Sequence, residues 1–368
     1  MRDALELADT RLISQLRALP EILHDLDFTA ERIARTLDAP DVSEVLGNSA
    51  RYALQTEDVA DELVNSAAGV MIQLFVRNGF VAEEHYHQQM PAVLSDLAAD
   101  IGLVSRQRGQ VRARLSITPL FGKYFFSDRL FTVEPSGSLT FSTRDDIVMP
   151  PHSSSLHLLE SLAVDDSFNA LVDVGCGCGV LGLALASGYA STMLVDVSPR
   201  AVRFAQANAV MNDIAATAKA ADVTRDRLLD VPAHVVFNAP TTIPYDSAVG
   251  EPGMMTAETA LTSAVGQLSQ GPGRGGRAQV FVVVEVPHEF ASAEELIRNW
   301  LCSFEFSRLE VRALPHSPFR VSSEMIALGS VDPHCLLLRR SSDARALAHY
   351  LDSRGTREVV PLVASVWG

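Results

Sequence analysis

The chain has 368 residues, 47% of them hydrophobic and 20% charged, and its 45 acidic against 30 basic side chains give a formal net charge of −15. That length supports two domains with a sizeable core. The charge argues against a protein that grips long nucleic acid through its phosphates, because such binding needs a basic footprint. No apolar run reaches membrane-spanning length and the amino terminus lacks the apolar core of a secretion signal, so the expected setting is the cytoplasm with no membrane partner. Lysine occurs only at Lys123 and Lys219 beside plentiful arginine, a codon bias that suggests a GC-rich bacterial source.

The first hundred residues read as helices. Leu12, Ile13, Leu16, Leu19, Ile22, Leu23 and Leu26 form an apolar stripe, expected as two short helices broken at Pro20. A second stripe over Glu57 to Phe75 stops at Asn78-Gly79, and Pro91 to Gly102 adds a short helix with Val93, Leu94, Leu97 and Ile101 inward. From Gln110 to Ile147 the pattern changes to alternation and turns: Val111–Ile117, Tyr124–Phe126, Leu130–Val133 and Leu139–Phe141. Residues 1–104 are therefore expected as a small helical or winged-helix domain and 105–150 as a β-rich bridge. Arginines 106, 108, 112 and 114, with Lys123, Arg129 and Arg144 beyond them, form the one basic patch and read as the solvated face of a strand or hairpin.

The double proline Pro150-Pro151 ends the bridge, and Ser153 or Ser154 can cap the helix that follows. His152 and His157, five apart with no evident carboxylate partner, read as surface or capping residues. Next comes the run Leu171-Val-Asp-Val-Gly-Cys-Gly-Cys-Gly-Val-Leu-Gly182, a strand turning through glycines into a helix, and then the strand Leu194-Val-Asp196. Gly175, Gly177 and Gly179 remove side chains where a ligand can lie on bare backbone at a helix start, and a carboxylate about 20 residues on can accept both hydroxyls of a ribose. The glycines alternate as G-x-G-x-G, whereas a dinucleotide fingerprint is G-x-G-x-x-G. Cys176 and Cys178 lie within this turn without matching His or Cys ligands, so no metal is expected and both read as small packing residues.

Asp173-Val-Gly-Cys-Gly-Cys-Gly179 resembles motif I of class I S-adenosylmethionine-dependent methyltransferases. The resemblance extends through Asp196, Ala221-Asp222 and Phe237-Asn-Ala-Pro240 and covers roughly residues 151–340. It implies a Rossmann-like α/β fold with a seven-stranded sheet and S-adenosyl-L-methionine as cofactor. Asp173, Gly175, Cys176, Gly177, Gly179, Asp196, Val197, Asp222 and Asn238 would line the cofactor. Asn238-Ala239-Pro240 is similar to the Asn-Pro-Pro-Tyr motif of the small-domain group, with Ala239 for the first proline, Thr241 where the aromatic belongs and Tyr245 as a displaced ring. Asn238, Pro240 and Tyr245 are the expected catalytic residues, positioning an acceptor amine. Were the acceptor a hydroxyl, a base would be required, and Asp246, Glu251 and His288 are near by topology.

The remaining pattern predicts strands near 170–174, 192–196, 216–221, 233–238 and 279–286, a helix at Ala293–Leu301, and an edge hairpin of Phe304–Leu314 with His334–Arg339. Residues 341–368 are set apart as a C-terminal extension. The acidic surface and altered motif point to methylation at nitrogen of a small metabolite or peptide, as in natural-product biosynthesis. The alternatives are ribosomal RNA or a translation-factor glutamine as acceptor, and a regulatory module that binds S-adenosylmethionine without turnover. Related front domains serve substrate recognition or dimerisation, so a homodimer through residues 1–104 is expected.

Overall fold

Leu16, Leu19 and Leu23 are fully buried on one face of α1 (Thr10–Asp25), and Pro20 sits inside that helix without ending it. This corrects the expectation of two helices. An internal proline costs about 3 kcal/mol, whereas burying three leucines contributes about 1.5–3 kcal/mol each. The computed structural model describes residues 10–55, 65–144, 146–162, 167–239, 255–269, 275–314 and 349–368. They divide between two compact units, one of residues 1–153, 177–184 and 198–218, the other of 154–176, 185–197 and 219–368.

In the first unit, α2 (Ala30–Thr36) and α3 (Val42–Gly47) start at capping side chains, Thr29 accepting from the Arg32 amide at 3.1 Å and Asp41 from the Glu44 amide at 3.0 Å. After α4 (Ser49–Leu54), Ser66 in extended conformation caps α5 (Ala67–Met71), so no helix runs unbroken from Glu57 to Phe75. A π turn over Ile72–Val76 follows and delivers Arg77, whose buried guanidinium donates to the Tyr52 and Ala53 carbonyls at 3.0 and 3.1 Å. Those carbonyls belong to the last turn of α4, which has no helical donors for them.

β1 (Phe80–Ala82), α6 (Glu83–Gln89), α7 (Ala92–Asp100), β2 (Val104–Gln107) and β3 (Gln110–Ala113) then form an antiparallel sheet in the order β1-β3-β2 with two helices between its first strands. Together with α5, this is the helix–strand–helix–helix–hairpin order of a winged helix. A boundary at residue 104 would cut this sheet, since β2 and β3 belong with β1. Leu94, Leu97 and Ile101 are buried as expected, but Val93 is 59% exposed, one position off the buried stripe. Hairpin β4 (Ser116–Leu120) with β5 (Lys123–Ser127) turns at Phe121-Gly122, both with positive φ, the two-residue turn whose twist matches a hairpin. A second small pair joins β6 (Phe131–Val133) to β7 (Leu139–Phe141).

The seven-stranded sheet contains β8 (Ala170–Val174), β9 (Ser191–Asp196), β10 (Thr217–Ala220), β11 (Ala233–Asn238), β12 (Gly276–Pro287), β13 (Arg308–Ala313) and β14 (Thr356–Trp367), in the order β10-β9-β8-β11-β12-β14-β13. β8 runs parallel to both β9 and β11, and β11 parallel to β12, whereas β14 is antiparallel to both its neighbours. The chain order reverses on either side of β8, and in open α/β sheets ligands bind outside the carboxyl ends at that switch. On one face Val172, Val235, Phe237, Val280, Val282 and Val284 form a common core with Leu261, Val265 and Leu268 of α11 (Ala257–Leu268) and Leu296 and Ile297 of α12 (Ala293–Trp300).

One expectation is corrected at the end of the chain. The strand between β12 and β13 is Thr356–Trp367, so the stretch set apart as an extension supplies an inner strand; His334–Arg339 lies outside the described residues. A buried polar chain pins its register. Gln279 donates to Ser365 Oγ at 3.0 Å, so its Oε1 accepts from His234 Nε2 at 2.8 Å, which leaves Nδ1 of His234 to accept from the Tyr189 hydroxyl.

Candidate active site

Gly175, Gly177 and Gly179 have φ of +59°, +53° and +82°, so the chain leaves β8 through three left-handed positions within five residues. Side chains rarely tolerate that region, which is why the turn needs glycine. The glycines are not equivalent. A Cβ on Gly175 would stand 2.9 Å from the Phe237 ring, whereas one on Gly177 would meet nothing within 4 Å among the described residues. The first glycine serves packing; the second faces open space. The Cys176 amide donates to the Val195 carbonyl at 2.9 Å, tying the turn to β9, and α9 (Val180–Leu185) begins directly after Gly179. Cys176 and Cys178 are buried and form no disulfide, and no metal-holding cluster of His, Cys, Asp and Glu exists among the described residues.

Asp173, 1% exposed near the carboxyl end of β8, stands in register between Leu194 of β9 and Val236 of β11. Asp196 closes β9, and its carbonyl accepts from the Ala221 amide at 3.0 Å, which brings the segment carrying Asp222 beside it. Val197 follows with 61% of its surface exposed, an apolar side chain available to a planar ligand. Ser198 caps α10 (Pro199–Met211), whose first residue is the proline the sequence placed there. Asp222 is committed to its own turn: Oδ1 accepts from the Thr224 amide and hydroxyl at 2.9 and 2.6 Å, and these bonds hold its carboxyl below the usual carboxylate range.

Asn238 ends β11 and donates through Nδ2 to Ser154 Oγ at 3.1 Å and Ser155 Oγ at 3.0 Å, both on α8 (Ser153–Ser161). Using both amide hydrogens fixes the rotation of the amide plane and leaves Oδ1 as its acceptor end. In the sequence Ser154 reads only as a possible helix cap, and Ser155 carries no signal. Their partnership with Asn238 spans more than eighty residues and has no periodic signature in sequence. Pro240 and Tyr245, with Asp246 and Glu251, lie outside the described residues. His157 faces Glu160 on the surface of α8 at 3.8 Å, and the His288 amide donates to the Gly355 carbonyl at 3.0 Å. Sequence reading also passed over Glu285 near the carboxyl end of β12, whose pKa burial pushes up, with Arg354 opposing.

Residues 152–271 match the family described as methyltransferase small domain. A stretch of 66 residues is 44% identical to the ribosomal protein L11 methyltransferase of Saccharophagus degradans, covering 17% of this chain and 23% of that protein. The chain thus spans about a quarter of that relative's length. Among solved structures, M. jannaschii TYW2 in complex with AdoMet is 13% identical over 70% of this chain and 89% of that one, with a TM-score of 0.38. The ribosomal protein L11 methylase of Lactobacillus delbrueckii subsp. bulgaricus is 14% identical over 58% and 79%, with a TM-score of 0.31. Strand order, glycine turn and family match together define a class I S-adenosylmethionine-dependent methyltransferase domain.

Proposed function

We propose that the protein is a cytoplasmic methyltransferase that binds S-adenosyl-L-methionine and methylates a nitrogen of a small metabolite or peptide. The observation that carries the reading is the orientation of Asn238, whose hydrogens are held by Ser154 and Ser155 so that Oδ1 is the end offered to an incoming N–H. The open face at Gly177 and the exposed Val197 fit the cofactor, which would rest its methionine part on residues 175–179 and its ribose on Asp196. Asp173 would stand behind that turn, Cys176 would line it, and Asp222 would offer Oδ2 to the adenine amine. When bound, the cofactor supplies an already activated methyl group.

The chain's own part is then positional. Asn238, with Pro240 and Tyr245 following it, would orient the amine in line with the methyl group and exclude water, the step in which orientation lowers the barrier most. A neutral amine needs no base for the attack itself; its proton leaves afterwards.

A protein acceptor is the second reading, favoured by the local likeness to ribosomal protein L11 methyltransferase. An RNA acceptor is disfavoured by α7, the helix that would read a groove in a winged helix, because its charged residues are Asp96 and Asp100. The test is to incubate the protein with labelled S-adenosylmethionine and cell extract split into metabolite, peptide, protein and RNA fractions. Label in the small-molecule or peptide fraction supports the proposal; label in RNA alone overturns it, and binding without label in any fraction makes the chain a regulatory module.

A further inference from the structure

Asn208 and Asn212 lie one turn apart on α10 and therefore share a face. Both bond to the same strand. Asn208, with no exposed surface, accepts from the Phe126 amide at 2.8 Å and donates to the Phe126 carbonyl at 3.0 Å. Asn212 does the same at Tyr124, at 2.9 and 2.7 Å. In a hairpin turning at Phe121-Gly122, residues 123, 125 and 127 bond to β4, and 124 and 126 face outward. Two side-chain amides thus stand where a third strand would pair.

The second N–H of Asn212 stays within its own helix, donating to the Asn208 carbonyl at 2.8 Å, whereas Asn208 reaches the glycine turn. Its second N–H donates at 2.7 Å to the carbonyl of Cys178, inside the turn between Gly177 and Gly179. That bond fixes the peptide joining Cys178 to the left-handed Gly179, and it uses the same amide that holds Phe126. Resting on the reading of residues 175–179 as the S-adenosylmethionine turn, we propose that Asn208 is a positioning residue. It holds the turn formed before the cofactor arrives and links the order of the turn to that of the β4–β5 hairpin. Preorganisation of this kind strengthens binding by removing an ordering cost.

Asn212 is the internal control, since it grips the same strand without touching the turn. In calorimetry and thermal melts, Asn208→Ala and Asn212→Ala should both lower Tm, but Asn208→Ala should weaken S-adenosylmethionine binding about tenfold and Asn212→Ala about twofold at most. Equal losses of affinity, or none for Asn208→Ala, would overturn the proposal while leaving the cofactor reading intact. A wild-type protein that binds no S-adenosylmethionine overturns both. Hydrogen exchange on the wild type covers the case in which a variant fails to fold. Adding the cofactor should slow exchange of the Phe126 amide more than that of the Tyr124 amide, and equal slowing would count against Asn208.

Discussion

Gly175 lies so close to Phe237 that a methyl group on its α-carbon would stand 2.9 Å from the ring Cε2, while the same group on Gly177 would meet nothing within 4 Å among the described residues beyond its chain neighbours. Substitutions at the two glycines should therefore fail differently. Gly175→Ala is expected to cost about 1–3 kcal/mol of stability, from overpacking and a positive φ. Gly177→Val should still unfold cooperatively but lose S-adenosylmethionine binding, as melts paired with calorimetry would show. A Gly177→Val protein with normal affinity would mean that the turn faces no ligand.

Asp196→Ala should weaken the cofactor about tenfold to a hundredfold, the scale of a lost bond to a charged acceptor at about 1.5–3 kcal/mol. Titration by calorimetry measures this directly, and tighter binding of NAD than of S-adenosylmethionine to the wild type would refute the site assignment.

Asn238→Ala should lower turnover about a hundredfold on the acceptor found in the labelling experiment, with a much smaller change in cofactor affinity. Replacing Ser154 and Ser155 together by Ala frees the amide to rotate and should reproduce part of that loss. Full turnover in Asn238→Ala would move acceptor binding elsewhere.

Tyr124 donates its hydroxyl to the Phe28 carbonyl at 3.0 Å, and burial pushes its pKa up from 10.0 to about 12. Because the folded state holds this proton more tightly than the unfolded chain, the contribution is complete below pH 10. It is lost as pH rises from about 10 to about 12. The rise in pKa is worth about 2.7 kcal/mol at full strength, and solvent screening at the hydroxyl reduces it to about 1–2 kcal/mol. Tyr124→Phe should flatten this part of the alkaline denaturation profile, and an unchanged slope would show that the phenol is not involved.

Trp367 lies between two guanidinium groups, Arg277 at 4.6 Å and Arg308 at 4.7 Å from its ring centre, joining β12 and β13 across β14. Trp367→Ala is expected to cost about 2 kcal/mol, a fall in Tm of about 4–8 °C. A melt within 1 °C of wild type, a bound set from that same scale, would rule out a structural role for the ring.

The parts legible in sequence are those with local chemistry. The glycine turn, the acid closing β9 and the Ser198-Pro199 helix start each show in a few adjacent residues, and the apolar runs of the parallel strands locate β8, β11 and β12. β14 was missed because Pro361 sits within it, and proline usually argues against an inner strand. Its carbonyl accepts from the Leu314 amide, just past the end of β13, so its missing N–H also points toward β13 and removes no bond to β12. Val93 lies one position off the buried stripe of α7, on an outer face that mixes Ala92 and Ala99 with Asp96 and Asp100. The bonds of Asn238 to α8 and of Asn208 to Cys178 join distant segments, and no spacing rule foreshadows them.

The position of β14 also bears on how the protein is made. Among the described strands β13 pairs only with β14, which follows it in the chain by several tens of residues. At roughly 5–20 residues per second, a ribosome leaves β13 with an open edge for a few seconds before its partner emerges. Unpaired edges recruit other chains. Arg308, Glu310 and Arg312 along β13 supply charges of the kind that discourage such pairing during translation.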